Sequence, residues 1–256
     1  MKLTSFLLLI TFAAGCSLSK VTPKQLAKAQ KEFAAANFAM GPEGGTEIDA
    51  QLDPIQKADQ NSDGYVAMLA WKMGSDAENY YNENGSWDTL DSKYLTWVTQ
   101  KSQFIQVAKS LKLQRLQKER LALRMEQLLG LAPNVAKDTG RVFMEMWVKA
   151  EDLFRPCRDP EVTDRECNTS FPGGAYSSTG PAYGQVYDGL VQGNVRADAP
   201  EGEPLYRAPW TRLGYTYDYH TRNRTHFGMS EYIIKQGAIV KIVAKTPTET
   251  WLKALK

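Results

Sequence analysis

The chain has 256 residues, 43% of them hydrophobic, enough for one large domain with a sizeable core. Its 31 basic and 29 acidic residues leave a formal charge of +2, and so near a balance gives no electrostatic ground for a nucleic-acid or strongly acidic partner. Only three cysteines are present, and one of them, Cys16, stands just past a short apolar run.

Taken in chain order, that run comes first. Lys2 gives a positive start, residues 6–12 read FLLLITF, and Ala13, Ala14 and Gly15 are small. These are the parts of a secretory signal. The run is too short to span a membrane, which takes about 20 apolar residues. Ala13-Ala14-Gly15-Cys16 resembles the lipobox of bacterial lipoproteins, with Ala13 where leucine is commoner. The resemblance implies cleavage after residue 15, a diacylglycerol on the Cys16 thiol and an acylated new amino terminus. Two or three chains anchor firmly where one does not. Ser17, rather than Asp, implies sorting to the outer membrane of a two-membrane bacterium. The membrane is then the first expected partner, and residues 16–22 are a lipidated tether.

Helical signals follow over 23–133. Thr22 and Pro23 suit an N-cap and first helical position for residues 24–38. Residues 41–63 are loop-like. At their end Asp59, Asn61, Asp63 and Gly64 resemble the first half of an EF-hand loop, with oxygen ligands at positions 1, 3 and 5 and glycine at 6. Position 12 is Ala70 in place of the bidentate glutamate, so the resemblance implies a weak calcium site; no other cofactor is indicated. The same residues also read as a polar turn. Residues 65–79 suit a helix with Met68, Leu69, Met73 and Tyr80 on one side, and residues 83–86 a turn. Residues 91–129 read as the longest helical span, capped at Asp91 or Ser92. Phe104, Val107, Ala108 and Leu111, then Leu121, Met125 and Leu128, recur at helical spacing before Gly130 and Pro133 end it.

The character changes over 134–256. Residues 141–148, RVFMEMWV, read as a strand buried on both faces; residues 213–220 read as another. Residues 230–235 and 238–245 suggest a hairpin turning at Gln236-Gly237. Between these lies a loop-rich insert, 157–210. Cys157 and Cys167, ten residues apart, read as one disulfide in an exported chain. The whole predicts an α+β fold: N-terminal helices, one of them long, then a mostly antiparallel sheet with a disulfide-stapled loop.

Chemistry is sparse. His220 and His226 share the stretch DYHTRNRTH, which reads either as an exposed, charged hairpin end or as a site with Asp218 orienting His220 as a general base, although residues two apart on a strand share a face without being placed to pass a proton. No Gly-x-Ser-x-Gly elbow supplies a nucleophile. Arg207, with Glu231 ahead of an apolar strand, resembles ADP-ribosyltransferase toxins, but Ser177 to Thr179 precede the arginine and Met229 stands where that family pairs a second glutamate. Trp210, Tyr215, Tyr217, Tyr219 and Tyr232 suit either a ligand groove or cross-strand packing. The leading expectation is a lipid-anchored envelope protein that binds a ligand or an envelope partner, with the long helical span as the partner surface. The alternatives are an exported enzyme joining Arg207, His220 and Glu231 in one cleft, and a calcium module at 59–64.

Overall fold

The computed structural model describes residues 19–39, 50–81, 87–90, 95–173, 183–198 and 207–255. The signal run, Cys16 with its lipobox, Asp91, Ser92 and the 83–86 turn lie outside them. Strand β1 (Tyr65–Met73) pairs antiparallel with the strand Arg141–Lys149 along its whole length, from Tyr65 opposite Lys149 to Met73 opposite Arg141. Residues 65–73 are thus a strand and not a helix. Met, Leu, Ala and Lys favour a helix locally, but this strand is covered on both faces, and pairing with its neighbours overrides local preference. The helical pattern survives only in α2 (Gly74–Tyr80).

The rest of the sheet is built around that pair. Short β2 (Asp88–Thr89), β3 (Thr96–Gln100), β4 (Arg141–Lys149), β5 (Leu153–Phe154), β8 (Tyr232–Ile234) and β9 (Ile239–Pro247) join β1 in the order β2-β9-β4-β1-β3-β8-β5; β6 (Tyr215–Tyr217) and β7 (Phe227–Ser230) form a separate pair. The expected hairpin between 230–235 and 238–245 is absent, because three strands stand between β8 and β9 in that order. In a flat sheet their separation would be about 19 Å. Five residue steps reach at most about 18 Å, and the turn at Gly237, φ +80°, shortens them. The sheet therefore curls. The turn closes the seam by bonding Leu90 through Ala238 and Gly237, and Asp152 through Lys235. Val66, Met68, Ala70, Val98, Met144, Met146, Tyr232, Val240 and Ile242 meet inside.

Leu69 and Phe143 point to the outer face, where three helices cover them: α3 (Lys101–Ser110), α4 (Lys118–Leu128) and α7 (Thr248–Lys253). The described part of the span 91–129, residues 95–129, is accordingly a strand and two shorter helices. Lys112, at φ +54°, starts the single 3-10 turn that separates them. Phe104, Ala108, Leu121, Met125 and Leu128 are buried against the sheet and Val107 partly so, while Leu111 is exposed; most of the apolar face that the periodicity revealed is spent inside the molecule. Strands from either side of residue 133 interleave in one sheet, so the helical and β-rich halves are not separate.

Three further elements complete the fold. Helix α1 (Pro23–Ala39) starts as expected: the Gln25 N–H donates to Thr22 Oγ1 at 3.3 Å and the Thr22 N–H to Gln25 Oε1 at 2.9 Å. It packs Phe33 on Tyr219. The four-residue α5 (Val135–Asp138) leads into β4. The 157–210 insert contains a helix, α6 (Tyr183–Asn194). The disulfide Cys157–Cys167 is formed and buried against Leu52. Among the described residues no helix is long and apolar enough to cross a membrane.

Candidate functional site

A cavity of about 760 Å³ lies on the outer face of the sheet. The sheet contributes Leu69 and Trp71 from β1, Trp97 and Thr99 from β3, and Phe143 from β4. The covering chain contributes Leu129 and Leu131 after α4, Gly189, Leu190 and Gly193 from α6, the segment Ala208 to Trp210, and Tyr217. On a curled sheet the outer faces of neighbouring strands diverge, and covering helices cannot close over them everywhere. Here α3, α4 and α7 seal one part and α6 spans the remainder.

Helix α6 leaves room where it meets the cavity. Gly189 and Gly193 are four residues apart, hence on one face. Among the described residues, a Cβ added to either would meet no atom within 4 Å. Glycine in a helix interior is about 1 kcal/mol less favourable than alanine. Among the described residues no close backbone approach demands glycine at these positions, and their effect there is open space.

The charged groups of the cavity divide between two places. Lys72 and Asp76 near the β1–α2 junction, Lys137 of α5 and Arg141 of β4 form one group. Burial, then Arg141, pushes the Lys72 ammonium below its usual range, against Asp76. The Arg141 guanidinium lies 4.6 Å from the Trp71 ring, donates to the Trp71 carbonyl at 3.1 Å and pairs with Asp138 at 3.0 Å. Glu231, between β7 and β8, stands apart. Leu69 is the register partner of Thr99, Met73 that of Arg141. Four residues along β1 span about 13 Å.

Glu231 is the most unusual group. It is 7% exposed, and burial pushes its carboxyl up to about 8. The Trp210 indole N–H lies close enough to oppose that shift, yet the two do not meet in hydrogen-bond geometry: Glu231 Oε1 and Trp210 Nε1 are both buried without a partner. The surrounding polar groups are satisfied. Gln103 Nε2 donates to Ser230 Oγ at 3.0 Å, the Ser230 N–H to Gln103 Oε1 at 3.0 Å and Thr99 Oγ1 to the Ser230 carbonyl at 2.9 Å. The Glu231 backbone N–H is bonded too, to the Gly214 carbonyl. An orphaned carboxyl oxygen and an orphaned indole N–H beside a satisfied network are an exception that calls for a cause.

No protein-family model, no curated protein and no solved structure matches this chain. What the residues do must therefore be read from their places.

Arg207, His220 and Glu231 are not brought together. Of the three, only Glu231 lines the cavity. Arg207 is exposed, its N–H bonded to the Asn194 carbonyl at 2.7 Å. His220 sits near Arg124, Glu32 and Asp218, and burial, then Arg124, lowers its pKa. The Asp218 carboxylate does not orient that imidazole. It takes Arg124 bidentately at 3.0 and 2.6 Å, the His220 backbone N–H at 3.1 Å and Asn223 Nδ2 at 3.0 Å, a structural role.

At the calcium-like loop, Asn61 Oδ1 accepts the N–H groups of Asp63 and Tyr65 at 3.0 Å each, and Asp59 Oδ2 accepts that of Gln56 at 2.8 Å. This is an Asx turn entering β1, with Gly64 at φ +82° and Ala70 buried in the core. Among the described residues no group of three or more His, Cys, Asp or Glu side chains could hold a metal. Of the aromatic set, Trp210 and Tyr217 line the cavity; Tyr215 stacks on Phe227, Tyr219 lies under α1, and Tyr232 is inside the curled sheet.

Sequence reasoning missed Trp97, Lys72, Arg141 and the α6 glycines. The stretch GLVQG carried a readable signal, two glycines at helical spacing in an otherwise helical run. Trp97 carried none, being hidden in a span read as helix.

Proposed function

We propose that this is a lipid-anchored lipoprotein of the cell envelope, held in the outer membrane through Cys16, whose folded part binds a small organic ligand in the cavity under α6. The anchor rests on Ala13-Ala14-Gly15-Cys16 and the apolar run before it. Binding rests on one observation: a cavity of about 760 Å³, walled by Trp71, Trp97, Trp210 and Tyr217, that α6 leaves open with Gly189 and Gly193. Small-molecule sites occupy roughly 300–1,000 Å³, with aromatic walls and a few polar groups.

Two measurements test the two halves. In the native host the intact mass should lack residues 1–15 and gain acyl chains, and a Cys16→Ser variant should leave the membrane fraction; an unmodified Cys16 would remove the anchor. For the cavity, intrinsic tryptophan fluorescence should respond to a neutral aromatic probe, since three of the lining residues are indoles next to the space. Gly193→Leu should abolish that response while leaving the melting temperature unchanged or higher. A response that survives the leucine would place binding elsewhere.

The exported-enzyme reading keeps only Glu231, which, protonated near neutrality, has the character of a general acid. Binding is favoured over it because Arg207 and His220 lie outside the cavity lining.

A further inference from the structure

We propose that Glu231, with Trp97 and Trp210, receives an ammonium group, so that the ligand of this cavity is an amine on a small apolar or aromatic body. The inference deepens the ligand-binding reading and rests on it.

Three observations carry it. First, Glu231 Oε1 lacks a donor although the residue is 93% buried, while Ser230, Thr99 and Gln103 beside it bond one another. A buried acceptor left open is destabilising unless something else fills it. An ammonium offers up to three donors. Second, the flanking walls are indoles. Trp97 and Trp210 stand edge to face with centroids 5.8 Å apart, and Tyr187 lies 5.7 Å from Trp210. Aromatic faces attract cations, tryptophan most strongly. Third, among the described residues no protein cation fills this role. The cations that line the cavity, Lys72, Lys137 and Arg141, gather with Asp76 toward Met73, and none contributes to the state of Glu231, which burial alone raises against the Trp210 N–H.

The chemistry fixes a sign. In the empty cavity the buried carboxyl keeps its proton near neutrality. An amine arriving as ammonium needs the carboxylate, so binding releases one proton from Glu231 to solvent and strengthens as pH rises. Trp210 Nε1, whose donor is also unused, can bond the second carboxylate oxygen once the charge forms.

The test compares 2-phenylethylamine with 2-phenylethanol, which differ only in the terminal group, on the full chain in detergent by calorimetry. An alkylamine holds its proton through the range used, as a lysine does. The amine should bind more tightly than the alcohol at about pH 8. Its affinity should rise roughly tenfold per unit from about pH 6 to 8 and then level off, as linkage to one proton requires. Buffers of different ionisation heat should report the proton released. Glu231→Gln should bind both probes alike and without pH dependence. Should that variant fail to fold, the wild-type pH profiles still decide. If the alcohol binds as well as the amine, or amine affinity is flat with pH, the cation site is wrong while ligand binding stands. If neither probe nor naphthalene binds, the cavity reading falls as well.

Discussion

Arg155 is the largest side chain that the described residues bury completely, at 0% exposed. Its guanidinium pairs with Asp164 and also reaches the carbonyls of Asp164, Glu166 and Asp53, the last two at 3.1 and 3.4 Å. One side chain thus ties the disulfide loop to the segment before β1. Replacing Arg155 by Met keeps the length and removes every donor, leaving buried carbonyls and Asp164 unmet. A buried acceptor left unmet costs about 1–3 kcal/mol, so Arg155→Met should lower the unfolding free energy, read from urea denaturation, by at least that much. Asp164→Asn should cost far less, because the Asp164 side chain is 37% exposed. Equal losses would mean that the ion pair matters and the carbonyl contacts do not. Gly228 makes a second case. A Cβ there would stand 2.3 Å from Thr216 Oγ1 and 2.5 Å from the Leu128 carbonyl. Thr216 Oγ1 bonds that carbonyl and also accepts the Met229 N–H, linking α4 to β7. Gly228→Ala should cost about 1–3 kcal/mol through overpacking, read as a drop in melting temperature.

At the scale of elements, Gly189 and Gly193 allow a cleaner test. Gly189→Ala and Gly193→Ala should each stabilise the protein by up to about 1 kcal/mol, because among the described residues nothing obstructs the new methyl groups. A loss of stability would show that α6 sits closer to the sheet. Elements were legible in proportion to how locally they are determined. The α1 start could be read because Thr22 and Gln25 bond each other across three residues. Strand β4 could be read because RVFMEMWV is apolar on both faces and rich in β-formers. Strand β1 could not: YVAMLAWKM is made largely of helix formers, and its pairing with β4 over nine residues and with β3 makes it a strand. Residues 96–110 hid a strand-to-helix junction at Gln100, where the apolar positions of β3 run straight into those of α3. Glu231 was picked out as a residue ahead of a strand, but its cavity was not legible, since its neighbours come from β1, β3 and α6, far apart in sequence.

The whole molecule carries the last prediction, its stability against pH. Burial raises the carboxyl pKa values of Glu231, Glu126 and Asp53 above their unfolded values. Glu126 is held near Asp138 and accepts the Asn134 N–H at 2.8 Å, so its proton is shared within a small cluster. A carboxyl that binds its proton more tightly when folded adds stability below the unfolded pKa, near 4.5, and loses it as pH rises through the folded one. His220 works the other way: its lowered pKa adds stability above 6.5 that is lost on acidification. One imidazole that is half buried opposes three carboxyls, so the carboxyls should win. The melting temperature is expected to be highest near about pH 5 and to fall toward about pH 8, where Glu231 ionises. Each fully shifted carboxyl contributes a slope of about 1.4 kcal/mol per pH unit within its window. Glu231→Gln should remove its share of that slope and raise stability most at the alkaline end. Glu126→Gln should do the same, and the two should add, since they sit in different clusters. Scanning calorimetry at unit pH intervals on the four proteins decides it. A wild-type curve that stays level from pH 5 to 8 would mean that Glu231 ionises as an ordinary carboxyl does, and an amine would then find a ready charge at neutral pH with no proton to displace.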